Sequence, residues 1–266
     1  MADFDKDGLR NVLLVAVGVC LVCSIVVSTA AVVLKPRQVA NQELDKKQNV
    51  LRAAGMLAPG ANVDEQGRGV EELFAQFVVQ AVDLDTGELL PDVQTNGFDP
   101  VRSAKDPGQS RALDQTEDIA VLGRRENVSV VYLRRDADGQ LDKVVLPVRG
   151  YGLWGTLFGY LALEGDLNTI AGLGFYSHKE TPGLGGEVDN PRWRAQWPGV
   201  KLYGVDGAPA VKLVKTRSPA DSAAARHEVD ALAGATLTSR GVTNLVSFWT
   251  SELGFGPFLQ RLGEAS

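Results

Sequence analysis

The longest stretch without a charged side chain lies near the start of the chain. Residues 12–34, 23 in all, carry no charge, while Arg10 precedes them and Lys35, Pro36 and Arg37 follow. A helix of this length crosses the hydrocarbon core of a bilayer. It is also longer than the apolar core of a cleaved signal peptide, although residues 28–31 supply the small side chains that cleavage needs. We therefore predict one transmembrane helix, retained as an anchor.

The period of the apolar positions changes after the anchor. Residues 38–57 place Leu44, Leu51, Ala54 and Leu57 on one face of a helix and charged residues elsewhere, which predicts an amphipathic helix leaving the membrane. A second short helix is predicted over residues 70–77. We expect a cytoplasmic tail at 1–11, the transmembrane helix at 12–34, a membrane-proximal helix and linker at 35–58, and a periplasmic domain at 59–266.

Strand-like runs dominate the middle of the chain. β-rich segments separated by turn residues predict strands in hairpins, and hairpins predict antiparallel pairing. The fold class is therefore α+β: a single N-terminal transmembrane helix followed by a domain with antiparallel strands. The predicted strands are residues 78–84, 128–135, 143–148, 156–163, 169–176 and 210–215.

Three further segments complete the pattern. Residues 91–118 are polar and lack periodicity, so we predict a long surface excursion that contacts partners or is disordered. Residues 190–197 form a short helix or turn in which Trp193 and Trp197 pack together. A C-terminal helix runs from Val242 to about Gly254, where Gly256 and Pro257 prevent its continuation.

Charge and composition exclude several classes of protein. The net charge is −6 and the basic residues are dispersed among acids, which argues against nucleic-acid binding. Two histidines and two cysteines are too few for an ordinary zinc site, and both cysteines lie in the predicted anchor. His178 and Glu180 remain open as a metal pair, an acid–base pair or residues that order a loop.

A small-residue turn runs into the C-terminal helix at residues 230–241. Thr238 or Ser239 can cap the first helical turn, which puts Thr236 just before the helix N-terminus. Unpaired backbone N–H groups and the positive end of the helix dipole suit a phosphate there, and Ala233, Gly234 and Ala235 leave space for it. From the pattern alone, a capped helix after a flexible loop is the favoured interpretation.

A tryptophan stands among glycines at residues 150–155. Trp154 could stack on a planar ligand that approaches the glycine backbone closely, and a buried core position is equally compatible with the sequence. Downstream, the turn at residues 181–185 could present backbone groups and Leu184 to such a ligand.

Three motifs resemble one family in the same order. They are Gly-x-Gly-Leu-Trp at 150–154, His-x-Glu-Thr-Pro-Gly-Leu-Gly at 178–185, and Asp-x-x-x-Gly-Ala-Thr at 230–236, where Ala233 stands at a position that is Ser or Thr in the family. They resemble the FMN-binding domain found in the C subunit of sodium-translocating NADH:quinone oxidoreductases and in the G subunit of the related Rnf complex.

The resemblance implies a covalent cofactor. In that family a flavin transferase cuts FAD and leaves FMN joined by a phosphoester to the motif threonine, here Thr236. Composition does not exclude the neighbouring hydroxyls of Thr238 and Ser239, and only the resemblance selects Thr236. It implies FMN contacts at Thr236, Asp230, Gly234, Ala235, Leu237, Thr238, Trp154, Leu153, Glu180, Thr181, Gly183 and Leu184. No residue of this chain is expected to catalyse a separate substrate reaction, because the flavin transfers the electrons.

The resemblance also implies a cellular setting. It places the protein in the bacterial inner membrane with a periplasmic domain. It also implies partner subunits that supply NADH dehydrogenase, iron–sulfur, further flavin and quinone functions, with electron flow linked to sodium export. A positive-inside count instead favours a cytoplasmic domain, because the basic residues before the span, Lys6 and Arg10, are outnumbered by those after it: Lys35, Arg37, Lys46, Lys47 and Arg52. The alternatives are an Rnf-type FMN subunit and a periplasmic assembly or binding module without flavin; the long excursion favours the sodium-pump subunit.

Overall fold

One long helix begins the structure. The computed structural model describes residues 8–264, and the chain divides into two compact units, residues 1–46 and 47–266. Helix α1 (Leu9–Ala53) forms the described part of the first unit and continues into the second. Within the described residues, it is the one helix long and apolar enough to cross a membrane. Residues 1–7 of the predicted tail lie outside the described residues.

The predicted span and the predicted membrane-proximal helix form a single helix. Pro36 lies inside α1 and removes one backbone donor, yet the helix continues past it. The helix ends at Ala53, earlier than predicted, where Gly55 takes a positive φ of 72° and the Met56 amide bonds to the Leu51 carbonyl at 2.9 Å. A glycine in the left-handed region is a common helix terminator.

A six-stranded antiparallel sheet forms the centre of the second unit. Its strand order is β2-β1-β5-β6-β7-β8, so the four strands from β5 to β8 follow one another in chain order. Two two-stranded ladders, β3 with β4 and β9 with β10, lie outside it. The strands are β1 (Phe77–Asp83), β2 (Leu89–Leu90), β3 (Ser110–Ala112), β4 (Arg124–Glu126), β5 (Val128–Arg135), β6 (Leu141–Tyr151), β7 (Thr156–Glu164), β8 (Ile170–Ser177), β9 (Lys212–Val214) and β10 (Glu228–Asp230).

Both faces of the sheet are covered, because alternate residues of a strand point to opposite faces. Val131 and Leu133 of β5 join the larger core, which includes the C-terminal helices. Val130 and Tyr132 join a smaller core built with the end of α1 and the helix α2 (Val70–Phe74). The antiparallel α+β class predicted from sequence is confirmed.

The polar excursion at residues 91–118 is more ordered than predicted. It contains the helix α3 (Pro100–Lys105), whose N-terminus is capped by Asp99 through the Val101 and Arg102 amides, and strand β3. Asp99 at the cap and Pro100 in the first turn both favour the start of a helix here. Strands β2, β3, β4 and β10 were not predicted, because two- and three-residue strands carry almost no periodic signal.

The remaining helices refine the predictions. Helix α4 (Pro191–Arg194) confirms the short helix, and the rings of Trp193 and Trp197 pack edge to face at 5.6 Å. Helix α5 (Thr236–Thr250) begins earlier than predicted. The glycine and proline at 256–257 do prevent its continuation, but they also open a further helix, α6 (Gly256–Glu264), which was missed; proline is well tolerated in a first helical turn.

Helix α5 lies unusually close to β6. A Cβ on Gly150 of β6 would stand 2.9 Å from Leu245 Cβ, and a Cβ on Gly241 of α5 would clash with the Tyr151 carbonyl. Further along, Trp249 Nε1 donates to the Arg149 carbonyl at 2.6 Å. Glycine at both crossing points lets the helix approach the strand, which fixes where the N-terminus of α5 emerges.

Candidate functional site

Three segments meet at one end of the sheet. The pair Tyr151 and Thr156 closes the β6–β7 hairpin, so residues 152–155 form its loop. Phe158 pairs with Ser177, which brings the end of β8 and the loop after it to the same end of the sheet. The N-terminal part of α5 packs against β6 at this end of the sheet, where Gly241 lies next to the Tyr151 carbonyl. All three motifs singled out in the sequence lie in these segments.

Glu180 connects the three segments. Its side chain is buried, with 5% of the residue exposed. Oε1 accepts the backbone N–H groups of Leu153 and Trp154, both at 2.9 Å, and Oε2 accepts the hydroxyl of Thr238. One carboxylate therefore holds the hairpin loop, the loop after β8 and the first turn of α5.

The surroundings keep Glu180 ionised. Burial acts to raise the pKa of this carboxyl, but the hydrogen bonds from Thr238, Trp154 and Leu153 to its charged form outweigh burial and leave the pKa below its ordinary value. An ionised carboxylate is an acceptor only, which matches the three donors around it.

His178 orders the same loop from the other side. Its Nδ1 accepts the Glu180 amide at 3.2 Å, and its Nε2 lies 2.8 Å from a carboxylate oxygen of Asp189. In the neutral ring, an accepting Nδ1 places the hydrogen on Nε2, which then donates to Asp189. His178 and Glu180 thus direct their side chains to different partners, and the described residues contain no group of three or more potential metal ligands.

Two glycines leave room for the Glu180 carboxylate. A Cβ on Gly152 would stand 2.5 Å from Oε1, and a Cβ on Gly185 would stand 2.5 Å from Oε2 and 2.6 Å from the Thr238 hydroxyl oxygen. Any larger side chain at either position would displace the carboxylate. The glycines of two sequence motifs are therefore needed for the polar core of the site.

The turn before α5 is closed by Ser239. The Ser239 hydroxyl donates to the Ala235 carbonyl at 3.0 Å and accepts the Leu232 amide at 3.0 Å. Gly234, at φ 72°, makes the turn possible. The prediction that Thr238 or Ser239 caps the helix was wrong: both lie inside α5, and Ala235 at the cap position offers no side-chain acceptor.

Thr236 is the first residue of α5 and is exposed. Among the described residues, its hydroxyl has no hydrogen-bond partner. The first amides of an α-helix have no acceptor within the helix, and no side chain caps them here. The positive end of the helix dipole also attracts a negative charge to this position. A free hydroxyl beside uncapped amides fits a phosphate monoester at this position.

Exposed apolar side chains lie in the same three segments as Thr236. Trp154 is 62% exposed, so the alternative of a buried core tryptophan was wrong. Leu153, Leu184 and Leu237 are also exposed, and a Cβ on Gly234 would meet Leu184 Cδ2 at 3.0 Å. Water-facing aromatic and leucine side chains beside an anion site form a surface that fits a planar aromatic ring.

Three of the predicted residues make contacts that shape the surroundings of the site. The Asp230 carboxylate pairs with Arg217 at 2.7 Å, and its carbonyl accepts Trp193 Nε1 at 2.8 Å, so its contacts anchor β10 to α4. Thr181 contributes its carbonyl, which accepts the Leu184 and Gly186 amides, and Gly183 has a φ of 77°. These two shape the turn that presents Leu184.

The sequence interpretation missed two residues of the site. Ser239 was considered as a cap and as an alternative acceptor hydroxyl, and Gly185 only as part of a turn. A serine four residues after a small residue at a helix start is a local signal for back-bonding to that carbonyl. The steric need at Gly185 depends on Glu180 and Thr238 and is invisible to local sequence.

The site lies within a domain of known type. Residues 152–251 match the family model of the FMN-binding domain, and this range includes the hairpin loop, the loop after β8 and all of α5. The chain therefore contains an FMN-binding domain.

Similarity to known proteins extends over the whole chain. It is 51% identical to the C subunit of the Na(+)-translocating NADH-quinone reductase of Pseudomonas aeruginosa, covering 98% of this chain and 99% of the relative. The same subunit of Vibrio vulnificus is 45% identical, covering 97% of this chain and 96% of the relative. The crystal structure of Shewanella oneidensis NqrC superposes with a TM-score of 0.74 at 36% identity, covering 85% of this chain and all of that one.

This chain belongs to the family formed by the C subunits of Na(+)-translocating NADH-quinone reductases. The family named from the three motifs is confirmed, and the preference for the sodium-pump subunit over the Rnf subunit agrees with these relatives.

Proposed function

We propose that this chain carries FMN covalently, as a phosphoester on the hydroxyl of Thr236, and that it relays electrons within its complex. Its family makes it the FMN-binding, electron-transfer subunit of a sodium-translocating NADH:quinone reductase. The observation that supports the attachment residue best is the free, exposed Thr236 hydroxyl at an uncapped helix N-terminus.

The residues around Thr236 have the chemistry that this cofactor needs. The first amides of α5 would bind the phosphate, and Gly234 keeps its approach open. Trp154, Leu153, Leu184 and Leu237 would cover one side of the ring system. Thr238, whose hydroxyl is committed to Glu180, is buried and is a poor acceptor of a flavin phosphate by comparison.

FMN, once bound, supplies the one- and two-electron redox chemistry, and the protein supplies position and electrostatics. Glu180 holds the Trp154 loop against α5, so it fixes the distance between the attachment hydroxyl and the aromatic surface. The ionised Glu180 carboxylate also adds a negative charge close to the site. That charge opposes the gain of an electron nearby, and Thr238, Leu153 and Trp154 reduce its effect by hydrogen bonding.

The same proposal includes the maturation partner and the topology. A flavin transferase with FAD as the donor would modify Thr236, and other subunits of the complex would exchange electrons with the flavin. We place the main domain in the periplasm of a bacterial inner-membrane protein, with α1 as the single anchor. A covalent link suits that compartment, because a dissociated cofactor would be lost by dilution.

Topology can be tested independently of flavin attachment. Cysteine variants at two exposed positions, Asp138→Cys and Asp206→Cys, are labelled in intact cells with a membrane-impermeant maleimide, with Cys20 and Cys23 changed to Ala. Labelling of both in intact cells supports the periplasmic placement. Labelling only after lysis would instead place the domain in the cytoplasm, as the positive-inside count suggests.

An unflavinylated binding module is the competing function, and one residue favours it. Ala233 is exposed and lacks the hydroxyl found at that position of the family motif. Coexpression of the full chain with a flavin transferase, followed by in-gel fluorescence under denaturing conditions, separates the two. Covalent flavin in the wild type and none in Thr236→Val supports the carrier. No covalent flavin in the wild type, with a control substrate modified, supports the module.

A further inference from the structure

A cavity of about 800 Å³ lies in the second unit, away from the residues assigned to flavin. Its walls come from the last turn of α1 and the segment after it, from β8, and from α4 with the following turn. Apolar side chains, including Met56, Leu57, Leu173 and Pro191, share the lining with arginines 52, 68 and 194. A cavity of this size accepts a small organic molecule.

Arg194 is the most unusual group in the lining. Its guanidinium lies against β8 at Gly174, where a Cβ would come within 3.0 Å of Cζ. Among the described residues, the side chain makes no hydrogen bond or ion pair. Burial lowers the pKa of Arg194 below its ordinary value; the Asp189 carboxylate opposes that shift, and the positive charge of Arg52 adds to it.

Arg52 faces the cavity with its charge uncompensated as well. Nη2 donates to Gln48 Oε1 at 3.1 Å and to the Ala61 carbonyl at 3.4 Å, which are both neutral acceptors. Its Nε is buried and has no partner. A neutral acceptor offsets little of the cost of burying a guanidinium, so Arg52 retains unused hydrogen-bonding capacity and an unpaired positive charge.

The acidic groups of the lining do not neutralise these two arginines. Asp64 is engaged by Arg68, with Nε at 2.7 Å and Nη2 at 2.6 Å from the same carboxylate oxygen. Glu65 is exposed to solvent, and Asp189, which lies outside the lining, bonds to His178. Among the described residues, neither Arg52 nor Arg194 forms an ion pair with a carboxylate, so an anion bound by both would stabilise these two like charges.

We propose that this cavity is a binding site for a small organic anion, whose carboxylate or phosphate group bridges Arg52 and Arg194 while its apolar part packs on Met56, Leu57 and Leu173. The planar donor forks of arginine match both groups in bidentate geometry. The site is separate from the proposed FMN attachment, so it holds or fails independently of that function.

Isothermal titration of the full-length protein in detergent tests the site. The probes are inorganic phosphate, glycerol 3-phosphate and citrate, and sodium chloride is added so that all titrations have the same ionic strength. We expect saturable binding of at least one probe, and the comparison of the three separates phosphate from carboxylate preference. Absence of saturable binding up to about 10 mM, which is about tenfold above the dissociation constant of a weak, 1 mM ligand, would overturn the proposal.

Two arginine variants and one control locate the binding. Arg52→Gln and Arg194→Gln should each weaken binding at least tenfold, whereas Arg135→Gln, at an exposed hairpin position, should leave it unchanged. Arg194→Lys retains the positive charge but loses the planar guanidinium, so we expect an affinity between those of the wild type and Arg194→Gln. If Arg194→Gln does not fold, Arg52→Gln decides alone. Binding that survives both Gln substitutions contradicts the site, since it then arises elsewhere, for example at the N-terminus of α5.

Discussion

Thr238 donates its hydroxyl to Glu180 although 58 residues separate them in the chain. The same carboxylate accepts two amides of the β6–β7 loop, so the hydrogen bond joins helix α5 to the surface that carries Trp154. Three motifs that are distant in sequence thereby act as one unit. The geometry around Thr236 depends on a single buried charge.

Replacement of that charge should loosen the whole site. Glu180→Ala leaves three donors without their acceptor, so we expect a loss of about 1–3 kcal/mol in the free energy of unfolding. Urea unfolding of the detergent-solubilised chain, followed by tryptophan fluorescence, measures the loss. Glu72→Ala, at an exposed position of α2, is the control and should change stability little. Equal midpoints for the two variants would contradict the role given to Glu180.

Acid should remove the contribution of Glu180. Its pKa lies below the ordinary 4.5 in the folded protein, so ionisation favours folding above that pH, and the contribution is lost as the pH falls through the lowered folded value. The stability difference between wild type and Glu180→Gln should therefore be constant near neutrality and shrink below about pH 4.5. Unfolding curves between pH 7 and pH 3 test this. A difference that stays constant or grows in acid would refute it.

The close fit of the glycines predicts a steric effect. Gly152→Ala places a Cβ 2.5 Å from Glu180 Oε1 and should destabilise the protein by about 1–3 kcal/mol, as overpacking usually does. Gly263→Ala in α6 is the matched control, because its Cβ would meet Leu167 at an ordinary 3.5 Å. We expect the control to be neutral or slightly stabilising in thermal unfolding. Similar losses in both variants would mean that the carboxylate pocket is not tight.

The two kinds of tryptophan should respond differently. Trp197 is fully buried, and Trp197→Ala should cost about 3–5 kcal/mol of stability. Trp154 is 62% exposed, and Trp154→Ala should change stability by about 0.5 kcal/mol or less. If Trp154 contacts the flavin, its loss should still shift the reduction potential and flavin fluorescence without removing covalent flavin. Unchanged flavin properties in Trp154→Ala would remove that residue from the site.

The elements best predicted from sequence were those with strong local signals. β-rich runs between turn residues located β5 to β8, and an uncharged run located the part of α1 that is long and apolar enough to cross a membrane. Boundaries were less certain, because Pro36 and the charges around it suggested a division that the continuous helix does not have. The glycine and proline at 256–257 ended one helix, as predicted, but local sequence did not reveal that they also begin another.

The site was predicted in part. Its three motifs were recognised from sequence, but the contacts between them were not, because Glu180, Thr238 and Gly185 come together only through sheet register and helix packing. Capping roles were predicted for Thr238 and Ser239 from their residue types. In the structure both are buried inside α5, where Thr238 donates to Glu180 and Ser239 donates to the Ala235 carbonyl. Asp230 matched a motif, yet its contacts are with Arg217 and Trp193. The roles of the site residues toward FMN remain predictions.

The attachment residue is the central claim, and peptide mass spectrometry tests it most directly. The full chain is coexpressed with a flavin transferase and digested with trypsin, which releases residues 227–240, a peptide that contains Thr236, Thr238 and Ser239. Fragment ions then locate the flavin phosphate within it. Thr236→Val tests the site, and Thr216→Val, at an exposed threonine outside the motifs, is the matched control.

The account predicts an FMN phosphoryl adduct on Thr236 in the wild type and in the control, and none in Thr236→Val. An adduct on Thr238 or Ser239, or an unmodified peptide from a chain coexpressed with an active transferase, would contradict it.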